Sequence, residues 1–433
     1  LKKNVLSLIV FGIASFVSTQ NISSDTLMYH HIHYDQQGHL LAWYSAQPGV
    51  AYDQTVRLVW NFWKNMEIDS NGAPYYMNHQ VWKPEHDPRG LGGDQINMAL
   101  SSWALLYAYL GDESVKQNMI FMADYYLEHS LSPSNCQWPD MPYPYNTTIH
   151  GHRYDGDMVS GKGYVQPDKA GSFGYELVTL YKMAGNRRYV NAAIKIANVL
   201  AAKVEAGDGE RSPWPFRVHA LTGQVAEQYD PKKVEKKLAG YTSNWVGTLQ
   251  LFSELIRMKQ GRTDGYQKAH DLTLKWMLQY PLKTNKWGPF FEDIGAWSDT
   301  QINAVTFAKY LLEHPDISPT WQSDVQSIFD WVYKTLGNHT WEKWGVVVVN
   351  EQTAYRVPGN SHTSRQAATE LLYGEKTGDL CYKENAIRAL NWATYMVDVD
   401  GKNRYVRNDI WLTDGYGDYV RHYLREIGRA SCR

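Results

Sequence analysis

The chain has 433 residues, of which 43% are hydrophobic and 20% are charged, so it can bury a large core and is not a disordered chain. Its formal net charge of -2 argues against nucleic acid as a partner, because neutralising phosphates needs a basic face. The sequence holds 17 Trp and 31 Tyr. We expect many of these rings at surfaces, because a core rarely hides so many indole and phenol groups.

Residues 1–20 are interpreted as a secretory signal peptide. Lys2 and Lys3 precede an apolar run from Val5 to Val17, and small and polar residues follow it. The run is too short to predict a membrane span. We therefore expect a secreted or periplasmic protein with no membrane span after cleavage.

Four segments then repeat one plan, in which an apolar-periodic helix, a short glycine turn and a second helix follow each other. They are residues 97–110 with 115–127, 171–184 with 189–202, 245–259 with 266–278, and 365–377 with 385–395. Glycine provides the left-handed residue that closes the first helix, and Asp or Asn is expected to cap the second.

A fifth pair, 304–312 with 321–336, is less regular, and residues 56–64 and 409–426 supply single helices near the two ends. If the terminal helices pair, the chain has six helical hairpins. The first helices are apolar almost all round and the second are amphipathic, which favours a closed double ring, an (α/α)6 toroid, over an open scaffold. Strand-like stretches at 345–350 and 212–225 are minor decorations.

Four stretches carry a resemblance to a known group: SPWPFRV (212–218), YTSNWVG (241–247), FFEDI (290–294) and WLTDGYGDY (411–419). With the hairpin repeat, residues 45–428 resemble the six-hairpin glycosidase superfamily, whose members include glucuronidase-like and unsaturated glucuronyl hydrolase-like enzymes and polysaccharide lyases. The resemblance implies one catalytic domain over residues 21–428. Residues 429–433 are set apart as a tail, and whether that tail is native stays open.

In such a ring the polar residues that precede the inner helices should converge at one rim. Glycoside hydrolysis needs two carboxyl groups, one of them a proton donor. The candidates are Glu292 or Asp293, which lie in an aromatic stretch expected to keep a carboxyl protonated, and Asp414 with Asp418. The last two are four residues apart and share a face if the segment is helical.

Binding residues are expected among the cations and aromatic rings of the same loops. Arg217 beside Trp214 suggests a site for a uronic acid, with its ring on the indole and its carboxylate on the guanidinium. The set of predicted substrate-binding residues is Lys169, Trp214, Arg217, Asn244, Trp245, Trp287, His362 and Arg365.

The sequence thus predicts a glycoside hydrolase that cleaves a uronic-acid-containing glycan. A polysaccharide lyase stays open, with Tyr241 or Tyr416 as base and acid and Asn244, His362 and Arg365 neutralising the carboxylate. A non-catalytic glycan- or protein-binding scaffold is a third reading. No cofactor or catalytic metal is predicted, since the pairs His79 with His86 and His150 with His152 lack a well-placed third ligand. The sequence does not predict an oligomeric state.

Overall fold

The computed structural model describes residues 26–68, 73–77, 93–147, 153–230, 234–406, 408–412 and 416–430. Its helices are α1 (Pro48–Lys64), α2 (Gly93–Leu110), α3 (Glu113–His129), α4 (Pro167–Ala184), α5 (Arg187–Lys203), α6 (Val246–Arg257), α7 (Thr263–Gln279), α8 (Pro281–Thr284), α9 (Gln301–Glu313), α10 (Trp321–Leu336), α11 (Asn360–Thr377), α12 (Lys383–Thr394) and α13 (Tyr416–Ala430). The predicted signal peptide and the last three residues lie outside the described residues.

Helix-to-helix contacts close into a ring. Around the inside, α2 contacts α4, α4 contacts α6, α6 contacts α9, α9 contacts α11, α11 contacts α13, and α13 returns to α2. Each inner helix also packs on an outer partner, which is the next long helix in the chain for five of them and α1 for α13. The terminal helices therefore pair, and the predicted (α/α)6 toroid is confirmed.

Short two-stranded pairs decorate the ring. The strands are β1 (Thr26–Leu27), β2 (His30–His31), β3 (Gly156–Asp157), β4 (Gly161–Lys162), β5 (Tyr164–Val165), β6 (Val218–His219), β7 (Glu227–Asp230), β8 (Glu235–Leu238), β9 (Gly337–Asn338), β10 (Val348–Val349), β11 (Arg404–Tyr405) and β12 (Asn408–Leu412). All pair antiparallel, as β1–β2, β3–β4, β5–β6, β7–β8, β9–β10 and β11–β12.

The predicted hairpin turns form as expected at two of the repeats. Gly185 closes α4 with φ of 71°, and the Asn186 side chain accepts a hydrogen bond from the backbone N–H of Arg188 at the start of α5. Asp112 caps α3 in the same way.

One predicted helix cap and one predicted helix start are wrong. Asp379 does not cap the fourth pair, because α12 begins four residues later and the Asp379 carboxylate accepts from the backbone N–H of Cys381 instead. The last helix does not begin at 409: residues 408–412 form β12, and α13 begins at Tyr416.

The expectation of surface aromatic rings holds for several tyrosines, such as Tyr34 and Tyr44, which are exposed, and is wrong for tryptophan. None of the tryptophan side chains that the structure describes is exposed, and most are buried. Pairs such as Trp60 with Trp103, at a ring-centroid distance of 5.1 Å, fill the seams between inner and outer helices. The aromatic content therefore reflects the thickness of the double ring, which needs large side chains to fill it.

Candidate active site

The beginnings of the inner helices carry buried polar side chains that meet inside the ring. The residues are Asp168, Lys169, Asn244, Gln301, Asn303, His362, Arg365 and Asp418. They come from four inner helices and the residues just before a fifth, as the sequence predicted for a polar rim. Their convergence is a property of the fold, and their individual roles stay predictions.

Asp168 is the centre of the first rim cluster. Its Oδ2 accepts hydrogen bonds from Lys169 Nζ at 3.1 Å and Asn244 Nδ2 at 2.8 Å. Lys169 Nζ also donates to the carbonyl of Phe290 at 2.7 Å and lies 3.4 Å from the centre of the Phe290 ring. Lys169 and Asn244 thus bind the protein itself, and their contacts brace the rim.

A loop between α8 and α9, residues 285–300 (the mouth loop), is held at the rim by its carbonyl groups. Asn303 Nδ2 donates to the carbonyls of Trp287, Gly288 and Pro289 at 3.0–3.2 Å. Since Lys169 holds the Phe290 carbonyl of the same loop, side chains of two inner helices fix its path. Glu292 is buried on this loop and Asp293 is exposed.

Arg217 has a different place from the one the sequence suggested. Its guanidinium is fully buried, with Nε 3.1 Å from Asp157 Oδ2 and Nη2 donating to the carbonyls of Phe291 and Glu292 at 3.2 and 2.8 Å. A group so enclosed and so fully bonded cannot clamp a substrate carboxylate. Arg217 instead positions the segment of the mouth loop that carries Glu292.

The three tryptophans predicted to bind substrate are also buried within the protein. Trp214, Trp245 and Trp287 are at most 1% exposed, and each indole N–H donates inside the protein: to the carbonyls of Leu200 and Thr242 and to Asn285 Oδ1, respectively. No face of these rings is open to a sugar, so their prediction as stacking platforms is wrong. They pack there because an indole fills a deep seam and still needs a partner for its N–H.

Tyr241, predicted as a lyase base, is likewise enclosed. Its hydroxyl donates to the carbonyl of Lys286 at 2.5 Å, and burial raises its pKa above the ordinary value of 10.0. A phenol with a raised pKa and an occupied proton is a poor base at neutral pH, so this assignment is corrected. The side chain of Tyr416, and the whole of Asp414, lie outside the described residues.

A second rim cluster joins α9, α11 and α13. Arg365 donates to Gln301 Oε1 at 2.9 Å and pairs with Asp418, which also pairs with Arg421 and, at 3.2 Å, with His422 Nε2. Asp418 therefore faces two guanidinium groups and an imidazole. A carboxylate held in this way is a poor proton donor, so Asp418 serves better to orient its cationic partners.

His362 lies between this cluster and the mouth loop. Its Nε2 is 3.5 Å from Glu351 Oε2, and the edge of its ring meets Phe291 at a centroid distance of 5.9 Å. Burial, followed by the charge of Arg365, lowers the pKa of His362 well below 6.5. The imidazole is therefore neutral at pH 7.

Below the rim, the inner helices surround an axial cavity with two connected chambers. The rim chamber has a volume of about 90 Å³ and is lined by Lys169, Asn244 and Phe290, among others. The axial chamber has a volume of about 310 Å³ and reaches Lys309 and Arg425. The two share the lining residues Tyr175, Glu176, Val246, Gln250, Thr306 and Arg421. The axial chamber alone is at the low end of the size range for small-ligand sites.

Glu176 is the residue of this cavity that the sequence reasoning missed. It lies in the middle of α4, faces both chambers, and is 8% exposed. Burial raises its pKa from 4.5 to about 8, against the opposing charges of Arg421, Arg425 and Lys309. The carboxyl is thus protonated at neutral pH. The signal in the sequence was a lone acid within the otherwise apolar stretch 173–180 of an inner helix.

Several buried polar atoms around the cavity have no hydrogen-bond partner among the described residues. They are Asn97 Oδ1, Asp168 Oδ1, Gln301 Nε2, Arg365 Nε and Arg421 Nε. Buried polar groups in folded proteins are nearly always paired. Of these residues, Asn97, Arg365 and Arg421 line the cavity, where a polar ligand would complete their bonding.

In the part of the chain that the structure describes, no three His, Cys, Asp or Glu side chains are grouped so that they could hold a metal ion. The histidine pairs weighed for that role, 79 with 86 and 150 with 152, lie outside the described residues. Within the described helices, none is both long and apolar enough to cross a membrane.

Comparison with known proteins separates fold from activity. No family model and no curated protein sequence matches the chain. Solved structures do match it. A cellobiose 2-epimerase from Bacillus thermoamylovorans is 15% identical with a TM-score of 0.64, covering 88% of this chain and 99% of its own. The chain therefore shares the (α/α)6 toroid fold of that structure.

Two further solved structures have the same architecture. A GH76 α-mannanase from Bacteroides thetaiotaomicron is 11% identical with a TM-score of 0.54, over 89% of this chain and 98% of its own. An unsaturated glucuronyl hydrolase specific for heparin is 8% identical with a TM-score of 0.50, over 88% and 96%. At these identities the likeness establishes the fold, and the activity has to be argued from the site.

Proposed function

We propose that this chain is an exported glycoside hydrolase that cleaves a uronic-acid-containing glycan in the axial cavity, with Glu176 as the proton donor. The observation that carries the proposal is the buried carboxyl of Glu176, which lines a polar cavity at the centre of the toroid and whose pKa burial raises to about 8. Cleaving a glycosidic bond at neutral pH requires such an acid, because the leaving oxygen must receive a proton.

The second carboxyl group of the reaction is assigned to Glu292. Arg217 and Lys169 fix the backbone of the mouth loop on both sides of this residue. A residue held by such buried contacts can keep a catalytic geometry, which a free loop cannot. In this scheme Glu292 acts as base or nucleophile at the rim, while Glu176 acts from below.

Two further features agree with an acidic sugar substrate. The axial chamber is lined by Lys309, Arg365, Arg421 and Arg425, so an anionic ring meets opposite charge there. Of the three solved structures compared, one is described as a glucuronyl hydrolase specific for heparin and the other two also act on carbohydrates. These descriptions apply to those proteins, and they support this proposal by shared fold alone.

Epimerisation of a free sugar is the second candidate, and two buried histidines favour it. His362 and His422 both have pKa values well below 6.5, because burial and the neighbouring arginines disfavour their charged forms. His422 lines the axial chamber, and His362 contacts Arg365, which also lines it. Two neutral imidazoles could exchange a proton there at a carbon beside a carbonyl. This reaction creates no new reducing end, which separates it from hydrolysis.

The test is digestion of a panel of acidic polysaccharides by the wild-type protein and two variants, read for reducing ends and ultraviolet absorbance. We expect new reducing ends without an absorbing unsaturated product, and a loss of about 10²–10⁴-fold in rate for Glu176→Gln. The matched control is Glu370→Gln. Glu370 is a buried acid whose pKa is also raised to about 8, but it bonds to Gln366 and does not line the axial cavity.

Retention of activity by Glu176→Gln, with Glu370→Gln equally active, would remove Glu176 as the acid. An absorbing product would instead establish the lyase alternative. A change in the identity of a free sugar with no new reducing ends would establish the epimerase.

A further inference from the structure

The axial chamber runs along the inner helices toward the end of the ring opposite the mouth (the far end). On α9 its lining extends from Val305 to Glu313, the last residue of that helix, a rise of about 12 Å. The rim chamber is lined by Ile302, near the start of α9, and joins the axial chamber at Glu176. The two chambers together therefore follow nearly the whole length of α9.

The described residues leave the far end of the axial chamber in contact with solvent. Glu313 is exposed, and Leu105 on α2 and Thr179 on α4, which also line the chamber, are partly exposed. The helix α9 is also short, with 13 residues against 18 in α4, a difference of roughly 7–8 Å. Because both helices begin at the rim, α4 extends past the end of α9, and the wall of the chamber is lower there.

The lining of the axial chamber suits water. Ser101 and Thr179 bring hydroxyl groups and Gln250 brings an amide. The charged side chains of the far end are paired within the protein, since Lys309 Nζ lies 2.8 Å from Glu313 Oε1. A polar space of about 310 Å³ has room for several water molecules, and polar cavities of this kind are hydrated.

The proposed reaction requires Glu176 to recover a proton in every cycle. Glu176 gives its proton to the leaving oxygen, and with Glu292 as base the attacking water gives its OH to the anomeric carbon and its other proton to Glu292. The starting states return when Glu292 loses that proton to solvent and Glu176 takes one from solvent. A glycan in the mouth blocks that side, so without another route the exchange waits until the products leave.

We propose that the axial chamber is a water-filled passage from the far end of the ring to Glu176, which supplies water and protons to this acid while a glycan occupies the mouth. The inference relies on the proposed function for the role of Glu176, but not for the passage itself. Solvent water is the ligand that the passage admits, in agreement with its lining of hydroxyl, amide and paired charged groups.

The first test measures how fast a thiol in the axial chamber reacts from solution. In a chain whose own cysteines are replaced by serine, Thr179→Cys places the thiol, and Ala104→Trp narrows the far end from α2. We expect Ala104→Trp to slow the reaction of this thiol with a small methanethiosulfonate by about tenfold or more, because the reaction depends on access. Leu105→Trp, at another lining residue of α2, is the second variant of the same kind.

The matched control is Ala108→Trp, one helical turn further along α2, because Ala108 is exposed and lines neither chamber. Circular dichroism establishes that each variant is folded. Equal reaction rates of the Thr179→Cys thiol in folded Ala104→Trp and Ala108→Trp proteins would overturn the passage. So would an equally strong slowing by Met98→Trp, which narrows the rim chamber, because the mouth would then be the entrance.

Steady-state kinetics on the glycan that the protein cleaves test what the passage does. Ala104→Trp should lower kcat by about tenfold and leave KM within about twofold, since Glu176 then recovers its proton only after the products leave. Ala108→Trp should change neither constant. An unchanged kcat in a protein whose far end excludes the reagent would retain the hydrolase and refute the supply of protons through the passage. Access through the far end in a protein that cleaves no glycan would retain the passage and refute Glu176 as the acid.

Discussion

Polar residues that look alike in the sequence have different roles at the rim. Their roles differ because the partners that bind them are distant in the chain. Arg217 stands beside aromatic residues in a stretch typical of a sugar site, but Asp157, its partner, is 60 positions away. Glu176 shows the reverse case, since one acid in the apolar stretch 173–180 suggests little until the cavity beside it is seen. Local sequence therefore predicted the polar rim, but not which of its side chains are fully bonded within the protein and so cannot bind a substrate.

The Arg217–Asp157 pair is expected to be essential for stability. Both side chains are fully buried, so Arg217→Met leaves the Asp157 carboxylate without its counter-charge. We predict a loss of about 3–5 kcal/mol in the free energy of unfolding, measured by urea titration. Arg211→Met, in which the arginine of an exposed pair with Asp208 is removed, should change little. Equal losses in the two variants would contradict the role given to Arg217.

At the scale of elements, the glycine-turn plan predicted the hairpins because helix ends depend on local chemistry. Gly185 and Asn186 close one helix and start the next wherever they are placed. The prediction of a helix beginning at residue 409 is wrong, because local pattern does not decide the structure there. Residues 408–412 pair with the adjacent strand β11 in a hairpin, and this cross-strand pairing outweighs the helical pattern.

The inner helices α4 and α6 pack more closely than any pattern indicated, because glycines of each helix lie against side chains of the other. A Cβ added at Gly247 would overlap Ser172, and one added at Gly174 would lie 2.7 Å from Leu251 Cδ2. This contact sets the width of the ring on the side where Glu176 lies. Sequence periodicity predicts which face is buried but not how near the neighbouring backbone comes.

We therefore expect Gly247→Ala to destabilise the protein by about 1–3 kcal/mol, through overpacking between α4 and α6. Gly265→Ala is the matched control on the outer helix α7, where an added Cβ meets nothing within 4 Å. It should stabilise the protein by about 0.5–1 kcal/mol, because alanine favours the helix. Thermal and urea unfolding measure the change in the free energy of unfolding of each variant. A destabilising Gly265→Ala together with a neutral Gly247→Ala would refute this packing.

For the whole molecule, ring closure was predictable and the chemistry within the ring was only partly so. Six hairpins with an apolar first helix have few ways to bury their faces, and the double ring is the one adopted. The rim residues converge as expected from that closure. The cavity below the rim, however, is lined by side chains such as Lys309 and Arg425, which come from different inner helices. No regular spacing in the sequence predicts that these side chains line one cavity.

The central claim is that Glu176 delivers the proton of catalysis from its protonated form. A carboxyl with a raised pKa is active below that value and loses its proton above it, so the rate should fall as pH rises through about 8. The most direct measurement is kcat against pH on the glycan that the protein cleaves. We predict a descending limb with its midpoint near pH 8 and a slope of about tenfold per pH unit. A rate that stays constant or rises from pH 7 to about pH 9 would contradict the claim.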